Sequence, residues 1–309
     1  MGSSGSKETV ESAPVKPTGP PPLMSSPWRS HITWSESERR QLLDDIYNFK
    51  VKGGIQYLNC FLLGQSASGK TSFFNTCATA LKDEGRILRP LTVLRAAGSS
   101  VTTKFETHPL YTKSDQVLKL RIFDCRGLHD IEGVTDENIR LILDGHVKHE
   151  YKIVPDETIQ HTDDYYRADP QLGDKMHCVV YVVNAENPGA ALAGGAATRS
   201  FEKIKKKISQ THVPQIVLMN KVDRLRGSLA NDISELFRSE EVKNKFTAVA
   251  RFMNLPDMNI LPMSNYHSEP VPNRNKDILA LTNLKVIMGS ANDFVQGRGT
   301  SNAPSGFFD

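Results

Sequence analysis

Residues 64–72 read GQSASGKTS, and their glycines, lysine and hydroxyl groups have the types and spacing that bind phosphate. The run matches G-x-x-x-x-G-K-[ST], in which glycines let the backbone point successive N–H groups at phosphate oxygens. The lysine carries charge to the β- and γ-phosphates, and the next hydroxyl binds Mg²⁺. This spacing predicts a nucleoside triphosphate site in which Lys70 also assists catalysis and Thr71 binds the metal. The predicted phosphate-binding residues are Gly64, Ala67, Ser68, Gly69, Lys70, Thr71 and Ser72.

A second motif, NKVD at residues 220–223, follows the apolar run QIVLM and bears on the base. It resembles the N-K-x-D motif with which Ras-like GTPases recognise guanine. The carboxylate of Asp223 can accept hydrogen bonds from the ring N–H and exocyclic amine of guanine, a pair that adenine lacks. By the resemblance, Asn220 meets the other edge of guanine and the Lys221 stem covers the ring. The alternative makes Asp223 an N-cap after a buried strand, but the preceding phosphate loop favours guanine.

Two shorter stretches agree with a guanine nucleotide. Asp124 ends the run VLKLRIFD, where it can hold Mg²⁺ through water, and Gly127 completes a D-x-x-G sequence. Ser264 and Asn265 follow another predicted strand, at the place where Ras-like proteins have a turn whose backbone N–H meets guanine O6. Only the serine agrees with the common form of that turn.

The first switch should supply a Mg²⁺-binding threonine from SSVTTKFETHP, residues 99–109. Thr102 and Thr103 are both candidates, and we favour Thr103. The alternative for this segment is a plain polar connection, because loops rich in serine and threonine are common.

The residue after Gly127 bears on hydrolysis. Leu128 stands where many GTPases carry a glutamine, and its side chain cannot hydrogen-bond to the attacking water. His129 is the candidate general base, with a surface histidine as the alternative reading. We therefore expect GTP and GDP binding with slow turnover, raised by self-association or by a protein partner that the sequence does not name. Whether the chain is an enzyme stays open at this point.

The elements that must position these residues alternate between strands and helices. Apolar strands are predicted at 57–63, 117–124, 177–184, 215–220 and 259–264. Helices are predicted after Ser35, which has Glu38 three residues on, from about Lys70, and from about Asn275. This alternation predicts a doubly wound, mostly parallel α/β sheet of the P-loop GTPase type. The predicted divisions are a disordered Gly/Ser/Pro-rich tail at 1–27, an N-terminal helix packed on the main domain at 28–54, a GTPase-like domain at 55–296 with an insertion at about 150–175, and a flexible tail at 297–309.

Composition narrows the classes of partner. The net charge of +3 is too weak to indicate nucleic acid, and no apolar run approaches the length of a membrane span. Four scattered cysteines without CxxC spacing favour a reduced, cytoplasmic protein. The start MGSSGSK fits the myristoylation pattern at Gly2, with a flexible Gly/Ser start as the alternative. A single acyl chain would give only weak membrane contact.

Several stretches together resemble the interferon-induced protein 44-like family of GTP-binding proteins: PWR at 27–29, GKTSFFN at 69–75, HCVVYVV at 177–183 and RFMNLPDMNILPMSNYHSEP at 251–270. The resemblance covers about residues 27–296. It implies a single GTPase-like domain in a cytoplasmic protein linked to the interferon response and antiviral defence. Two modes of action remain: a GTP-dependent switch, or a scaffold that binds GTP without hydrolysing it. A P-loop kinase is disfavoured by NKVD and by DCRG.

Overall fold

The computed structural model describes residues 21–29, 32–65, 67–91, 103–126, 135–154, 157–188 and 196–301. Several predicted positions lie outside these ranges and stay predictions: Gly2, Thr102, Gly127, Leu128 and His129.

One sheet organises the described part of the chain, with seven strands in the order β4-β2-β3-β1-β5-β6-β7. Strands β3, β1, β5, β6 and β7 run parallel, and β2 pairs antiparallel with both β3 and β4. The predicted doubly wound, mostly parallel α/β fold is therefore confirmed. The strand bounds are β1 Leu58–Leu63, β2 Thr103–Tyr111, β3 Val117–Arg126, β4 Lys152–Ile153, β5 Cys178–Asn184, β6 Gln215–Asn220 and β7 Ile260–Met263.

The helices form two packed groups around this sheet. Helix α7 contacts both α1 and α2, and α3 contacts α4, as expected when helices cover both faces of a doubly wound sheet. Short 3-10 turns at Val222–Arg224 and Ile233–Arg238 follow β6. The helix bounds are α1 Glu36–Tyr47, α2 Lys70–Lys82, α3 Asp136–Leu143, α4 Ala196–Ser209, α5 Gly227–Asn231, α6 Glu240–Met253 and α7 Arg274–Ser301.

Local sequence explains why the central elements form. All six residues of β1 are buried, as expected for a parallel strand covered on both faces. Helix α1 begins at the predicted cap, where the Ser35 side chain accepts a hydrogen bond from the backbone N–H of Glu38 at 3.1 Å. Its apolar side chains Leu42, Leu43 and Ile46 are buried in the main core. The helix is therefore part of the same folded unit as the sheet.

Strand β2 differs from the sequence-based expectation. Residues 99–109 were expected to form a switch loop or a polar connection, but Thr103–Tyr111 is a strand that pairs with β3. The sequence pattern does not indicate this strand, because most of its residues are polar and Phe105 and Leu110 are its only fully buried apolar side chains. Hydrogen bonds to the neighbouring strands β3 and β4 stabilise β2, although its own residues show no alternating apolar pattern. The predicted insertion at 150–175 contributes β4, which covers the outer edge of β2.

The two ends of the chain also differ from the predicted boundaries. Residues 21–27 fall within the predicted tail, yet Met24 exchanges hydrogen bonds with Arg238, each at 2.8 Å. The adjacent Trp28 ring packs against Phe237 and Phe246, with centroids 5.3 and 4.9 Å away. Packing of this partly buried ring against the core keeps the preceding residues close to the domain. At the other end, α7 continues past residue 296 to Ser301.

Within the described residues, the structure contains no helix with the length and apolar character needed to cross a bilayer.

Candidate nucleotide site

The predicted phosphate loop connects the carboxyl end of β1 to the start of α2. In the sheet, β1 lies between β3 and β5, so neighbouring connections leave in opposite directions at this point. Open α/β sheets bind ligands in the crevice outside the carboxyl ends of such strands. The loop therefore lies where the topology favours a ligand.

Close backbone contacts explain two of the loop glycines. Gly69 has φ of 105°, and a Cβ on it would lie 1.9 Å from Nδ2 of Asn220. A Cβ on Gly64 would lie 2.5 Å from the carbonyl oxygen of Val182 in β5. Larger residues at either position would push the loop away from its neighbours. The glycines thus keep the loop pressed against the ends of β5 and β6.

Lys70 reaches back across the loop that precedes it. Its Nζ donates hydrogen bonds to the carbonyl oxygens of Gly64 at 2.7 Å and Gln65 at 3.3 Å. The helix that it starts is capped by Gly69, which has no side chain to bond the first-turn N–H groups. Those N–H groups and the lysine charge suit an anion. A phosphate between them would replace the carbonyl oxygens as the partner of Lys70.

Asn220, the first residue of NKVD, joins this loop to the next one. It is almost fully buried, and its Nδ2 donates to the carbonyl oxygen of Ser68 at 2.8 Å. Its Oδ1 accepts from the backbone N–H of Lys221 at 2.9 Å and from Nδ2 of Asn265 at 2.8 Å. The structure therefore gives Asn220 a bracing role that the sequence did not predict. Its contact with the edge of guanine stays a prediction.

The rest of NKVD forms a tight turn that presents Asp223. Lys221 has φ of 62° and caps the 3-10 turn at Val222–Arg224. Asp223 lies inside that turn and is buried. The cap of the turn is Lys221, so the alternative that made Asp223 an N-cap is wrong. Burial, and then the nearby charge of Arg224, lower the pKa of Lys221, as expected for a partly buried ammonium beside a like charge.

Three buried polar atoms surround this junction without a protein hydrogen bond among the described residues: Oγ of Ser68, Oγ of Ser264 and Oδ1 of Asn265. Buried polar groups in folded proteins nearly always have a partner, so such a group suggests a bound ligand or water. All three belong to the predicted nucleotide-binding set. Their presence in one place fits a polar ligand between the phosphate loop and the turn after β7.

Hydrogen bonds to α2 and α7 fix the turn after β7. Nζ of Lys276, a buried lysine, donates to the carbonyl oxygen of Asn265 at 3.3 Å and pairs with the Glu269 carboxylate. Partial burial raises the pKa of Glu269, but hydrogen bonds from Lys276 and backbone N–H groups lower it by more. The net result is a pKa of about 2. The backbone N–H of Tyr266 donates to Oγ1 of Thr76 in α2 at 3.0 Å. This clamp was not predicted, because Lys276 lies in the first turn of α7, where an exposed lysine is ordinary, and only the fold brings it to Asn265 and Glu269.

The donor set at the end of β3 fits Mg²⁺. Asp124 is buried and lies opposite Glu106 of β2 in the strand register. Paired positions on adjacent strands bring the two carboxylates to the same face of the sheet, and Nζ of Lys104 lies 3.8 Å from the Glu106 carboxylate. Carboxylate oxygens are ligands that Mg²⁺ accepts. The same register places the Thr103 backbone three residues beyond Glu106, toward the carboxyl end of β3, where the predicted metal-binding Thr71 also lies in the first turn of α2. Glu106 was not predicted, because its strand was not.

Within the described ranges, no group of three or more His, Cys, Asp or Glu side chains could hold a metal by itself. Mg²⁺ usually takes one or two carboxylates and completes its octahedron with water and substrate phosphates. The oxygen donors at this edge therefore suit a metal that arrives with a nucleotide. A zinc-type cage of protein ligands has no counterpart in these ranges.

Comparison with known proteins places the chain beside interferon-induced relatives. Human interferon-induced protein 44 is 26% identical over 261 residues, which are 84% of this chain and 58% of the relative. The mouse protein of the same name is 27% identical over 257 residues, and human interferon-induced protein 44-like is 25% identical over 279. The resemblance predicted from the sequence is confirmed. The chain spans somewhat over half the length of the curated relatives that it matches, and no protein-family model matches it.

Solved structures with a similar course of the chain include Toc33 from Arabidopsis thaliana in complex with Mg²⁺ and GMPPNP. That structure is 12% identical, with a TM-score of 0.43, and the match covers 84% of this chain and 97% of Toc33. A probable GTP-binding protein, engB, is 14% identical with a TM-score of 0.42, covering 78% of this chain and all of engB.

Proposed function

We propose that this chain binds GTP and GDP with Mg²⁺ and acts as a slow or partner-dependent GTPase switch. The observation that carries the proposal is the 2.8 Å hydrogen bond from Nδ2 of Asn220 to the carbonyl oxygen of Ser68. It joins the phosphate loop to the NKVD turn across 152 residues of sequence. The two motifs that would bind the phosphates and the base of one nucleotide therefore share one edge of the sheet.

Each part of the site has a distinct role in this proposal. Backbone N–H groups of the phosphate loop and Nζ of Lys70 hold the β- and γ-phosphates. Asp223 accepts hydrogen bonds from guanine, and the Lys221 stem lies over the ring. Thr71, Asp124 and Thr103 supply oxygen atoms toward Mg²⁺, which neutralises phosphate charge when bound.

Slow turnover follows from the sequence at residue 128. Leu128 cannot hold an attacking water, which leaves His129 as the candidate base in the second switch. A protein partner or a second copy of this chain would then raise the rate by positioning that histidine or by supplying a charged group. The alternative, a scaffold that binds GTP without hydrolysis, predicts no turnover under any condition.

The names of the relatives support a place in the interferon response. We propose that the protein is induced by interferon, resides in the cytoplasm and contributes to antiviral defence through its nucleotide state. Rising transcript levels after interferon treatment, and a change in virus yield when the gene is silenced, are the expected results. Unchanged transcript levels would contradict the proposed induction by interferon and would leave the proposal of nucleotide binding unaffected.

One set of samples tests binding and turnover together. Purified protein, stripped of nucleotide and supplied with Mg²⁺, is titrated with GTP and GDP while phosphate release is followed at low and high protein concentration. Lys70→Ala should weaken both nucleotides about 100-fold, because a charged phosphate partner is lost. Lys203→Ala, on an exposed face of α4, is the matched control and should change nothing. Different protease cleavage patterns in GTP and GDP would favour the switch, and identical patterns the scaffold.

A further inference from the structure

Asn265 lies where three loops meet: the phosphate loop, the NKVD turn and the turn after β7. Its side chain makes contacts there that binding a base would not require. Its side chain is buried, and Nδ2 donates to Oδ1 of Asn220 at 2.8 Å. Nδ2 of Asn220 in turn donates to the carbonyl oxygen of Ser68 at 2.8 Å. Two amide side chains in series therefore connect the turn after β7 to the phosphate loop.

The same two amides press against the residue that precedes Lys70. A Cβ on Gly69 would lie 1.9 Å from Nδ2 of Asn220 and 3.4 Å from Nδ2 of Asn265. Both amides thus pack on the α-carbon of Gly69, whose left-handed φ of 105° sets the direction of the loop into α2. A change in either amide must be felt by the backbone that aims N–H groups at phosphate.

The backbone of Asn265 is fixed independently of its side chain. Its carbonyl oxygen accepts from Nζ of the buried Lys276 at 3.3 Å. The next residue, Tyr266, donates its backbone N–H to Oγ1 of Thr76 in α2 at 3.0 Å. The hydroxyl of Tyr266 donates to Oδ1 of Asp277 at 2.8 Å. Asn265 therefore extends from a rigid turn, which lets its side chain hold Asn220 in one rotamer.

We propose that Asn265 is a positioning residue for the phosphate loop, acting through Asn220 and making no contact of its own with phosphate. The proposal rests on the proposed function and adds a role that the guanine motif alone does not require. Preorganised donors bind more tightly because less conformational entropy is lost on binding. Loss of the Asn265 amide removes no N–H donor from the loop. It should let the loop N–H groups adopt several orientations instead of one.

The test compares nucleotides that share a base and differ in phosphates. Dissociation constants for GMP and GTP are measured with Mg²⁺ on the full chain, and their ratio is the gain from the two outer phosphates. Asn265→Ala should lower that ratio about five- to tenfold, because GTP is weakened by more than GMP. Asn265→Asp has nearly the same shape but no donor, so it should lower the ratio at least as much. Asn244→Ala, an exposed asparagine on α6, is the control and should behave as wild type.

A double-mutant cycle identifies the route through Asn220. If Asn265 acts through Asn220, the Asn220→Ala/Asn265→Ala pair should lose no more of the GTP:GMP ratio than Asn220→Ala alone. Additive losses would contradict this route. A merely structural role would lower the thermal midpoint without nucleotide and weaken GMP and GTP equally.

Three results would overturn the inference: an unchanged ratio in both Asn265 variants, equal weakening of GMP and GTP, or additive losses in the cycle. If Asn265→Ala does not fold, Asn265→Ser is used, because its hydroxyl keeps a donor in a smaller side chain. The serine variant should then show a smaller loss of the ratio than Asn265→Asp, and equal losses would contradict the proposal. A wild-type protein without preference for guanine would refute the proposed function instead, which separates the two failures.

Discussion

The amino and carboxyl ends of the parallel strands use buried polar groups in opposite ways. At the amino end, the backbone N–H of Asn59 donates to Nδ1 of His177 at 2.8 Å, and Nε2 of His177 donates to the carbonyl oxygen of Leu172 at 2.9 Å. At the carboxyl end, Ser68 and Ser264 keep buried hydroxyl oxygens without a protein partner among the described residues. Polar groups at the amino end are mostly hydrogen-bonded within the protein, whereas polar groups at the carboxyl end are available to bind a ligand.

The amino end serves as an internal clip for the fold. Nδ2 of Asn59 donates to the carbonyl oxygens of Gly173 and Lys175, both at 2.8 Å, and only its Oδ1 remains without a bond. Because His177 bonds through both ring nitrogens, its neutral form with the proton on Nε2 is fixed. We therefore expect substitutions there to change stability, and substitutions at the carboxyl end to change ligand binding.

The largest effect should come from Gly69→Ala at the carboxyl end. The added methyl group would collide with Nδ2 of Asn220, and the left-handed backbone adds strain of about 1 kcal/mol. GTP affinity should fall by about 1,000-fold, measured by equilibrium titration. Gly289→Ala, where a Cβ meets nothing within 4 Å in α7, is the matched control. It should keep wild-type affinity and stabilise the protein by up to about 1 kcal/mol.

Asp223→Asn should have the next largest effect, about 100-fold on GTP and GDP. The carboxamide cannot accept both hydrogen bonds from guanine, and a buried mismatch costs about 2–3 kcal/mol. The variant should bind xanthosine triphosphate better than wild type does, because a carboxamide N–H can donate to the extra carbonyl of xanthine. Asp164→Asn, at an exposed position, is the control. Equal GTP affinity in the Asp223 variant and wild type would place base recognition elsewhere.

Asp124→Asn should weaken nucleotide binding about 20-fold with Mg²⁺ and far less without it. A carboxylate that faces the metal contributes only when the metal is bound. Glu106→Gln should have the same sign with a smaller loss, since Glu106 lies one strand farther from β1. Titrations in Mg²⁺ and in EDTA separate the two contributions. Equal losses under both conditions would show that Asp124 does not face the metal.

His177→Gln, at the amino end, should leave GTP affinity unchanged and alter the pH dependence of stability. Burial lowers the pKa of His177 to about 4, against 6.5 for an exposed histidine. The folded protein therefore binds fewer protons than the unfolded chain in this range, and stability falls as pH falls. Between pH 6.5 and 5.5, the free energy of unfolding should drop about 1 kcal/mol more in wild type than in the variant. Parallel curves from denaturant unfolding would contradict this account of the clip.

The parts of the site that were predictable are those with short, fixed spacing. The phosphate loop and NKVD each depend on neighbours within a few residues, so roles for Lys70 and Asp223 could be proposed from the sequence alone. The brace from Asn265 through Asn220 could not, since 45 residues separate the two side chains and only the sheet order brings them together.

The parts of the fold that were missed depend on pairing between strands. Strand β2 carries a mostly polar pattern, and its order comes from β3 on one side and β4 on the other. Glu106 was missed for the same reason, because a carboxylate in an expected loop has no predicted neighbour. The buried runs of β1, β5 and β6 were found because burial on both faces requires apolar residues throughout.

The most direct test of the account is a titration of nucleotide-free wild-type protein with GTP and with ATP in the presence of Mg²⁺. The hydrogen bond from Asn220 to the carbonyl oxygen of Ser68 joins NKVD to the predicted phosphate loop, so on our proposal one nucleotide contacts both motifs. We predict that GTP binds at least about 100-fold more tightly than ATP. Equal affinity for the two nucleotides would contradict the account.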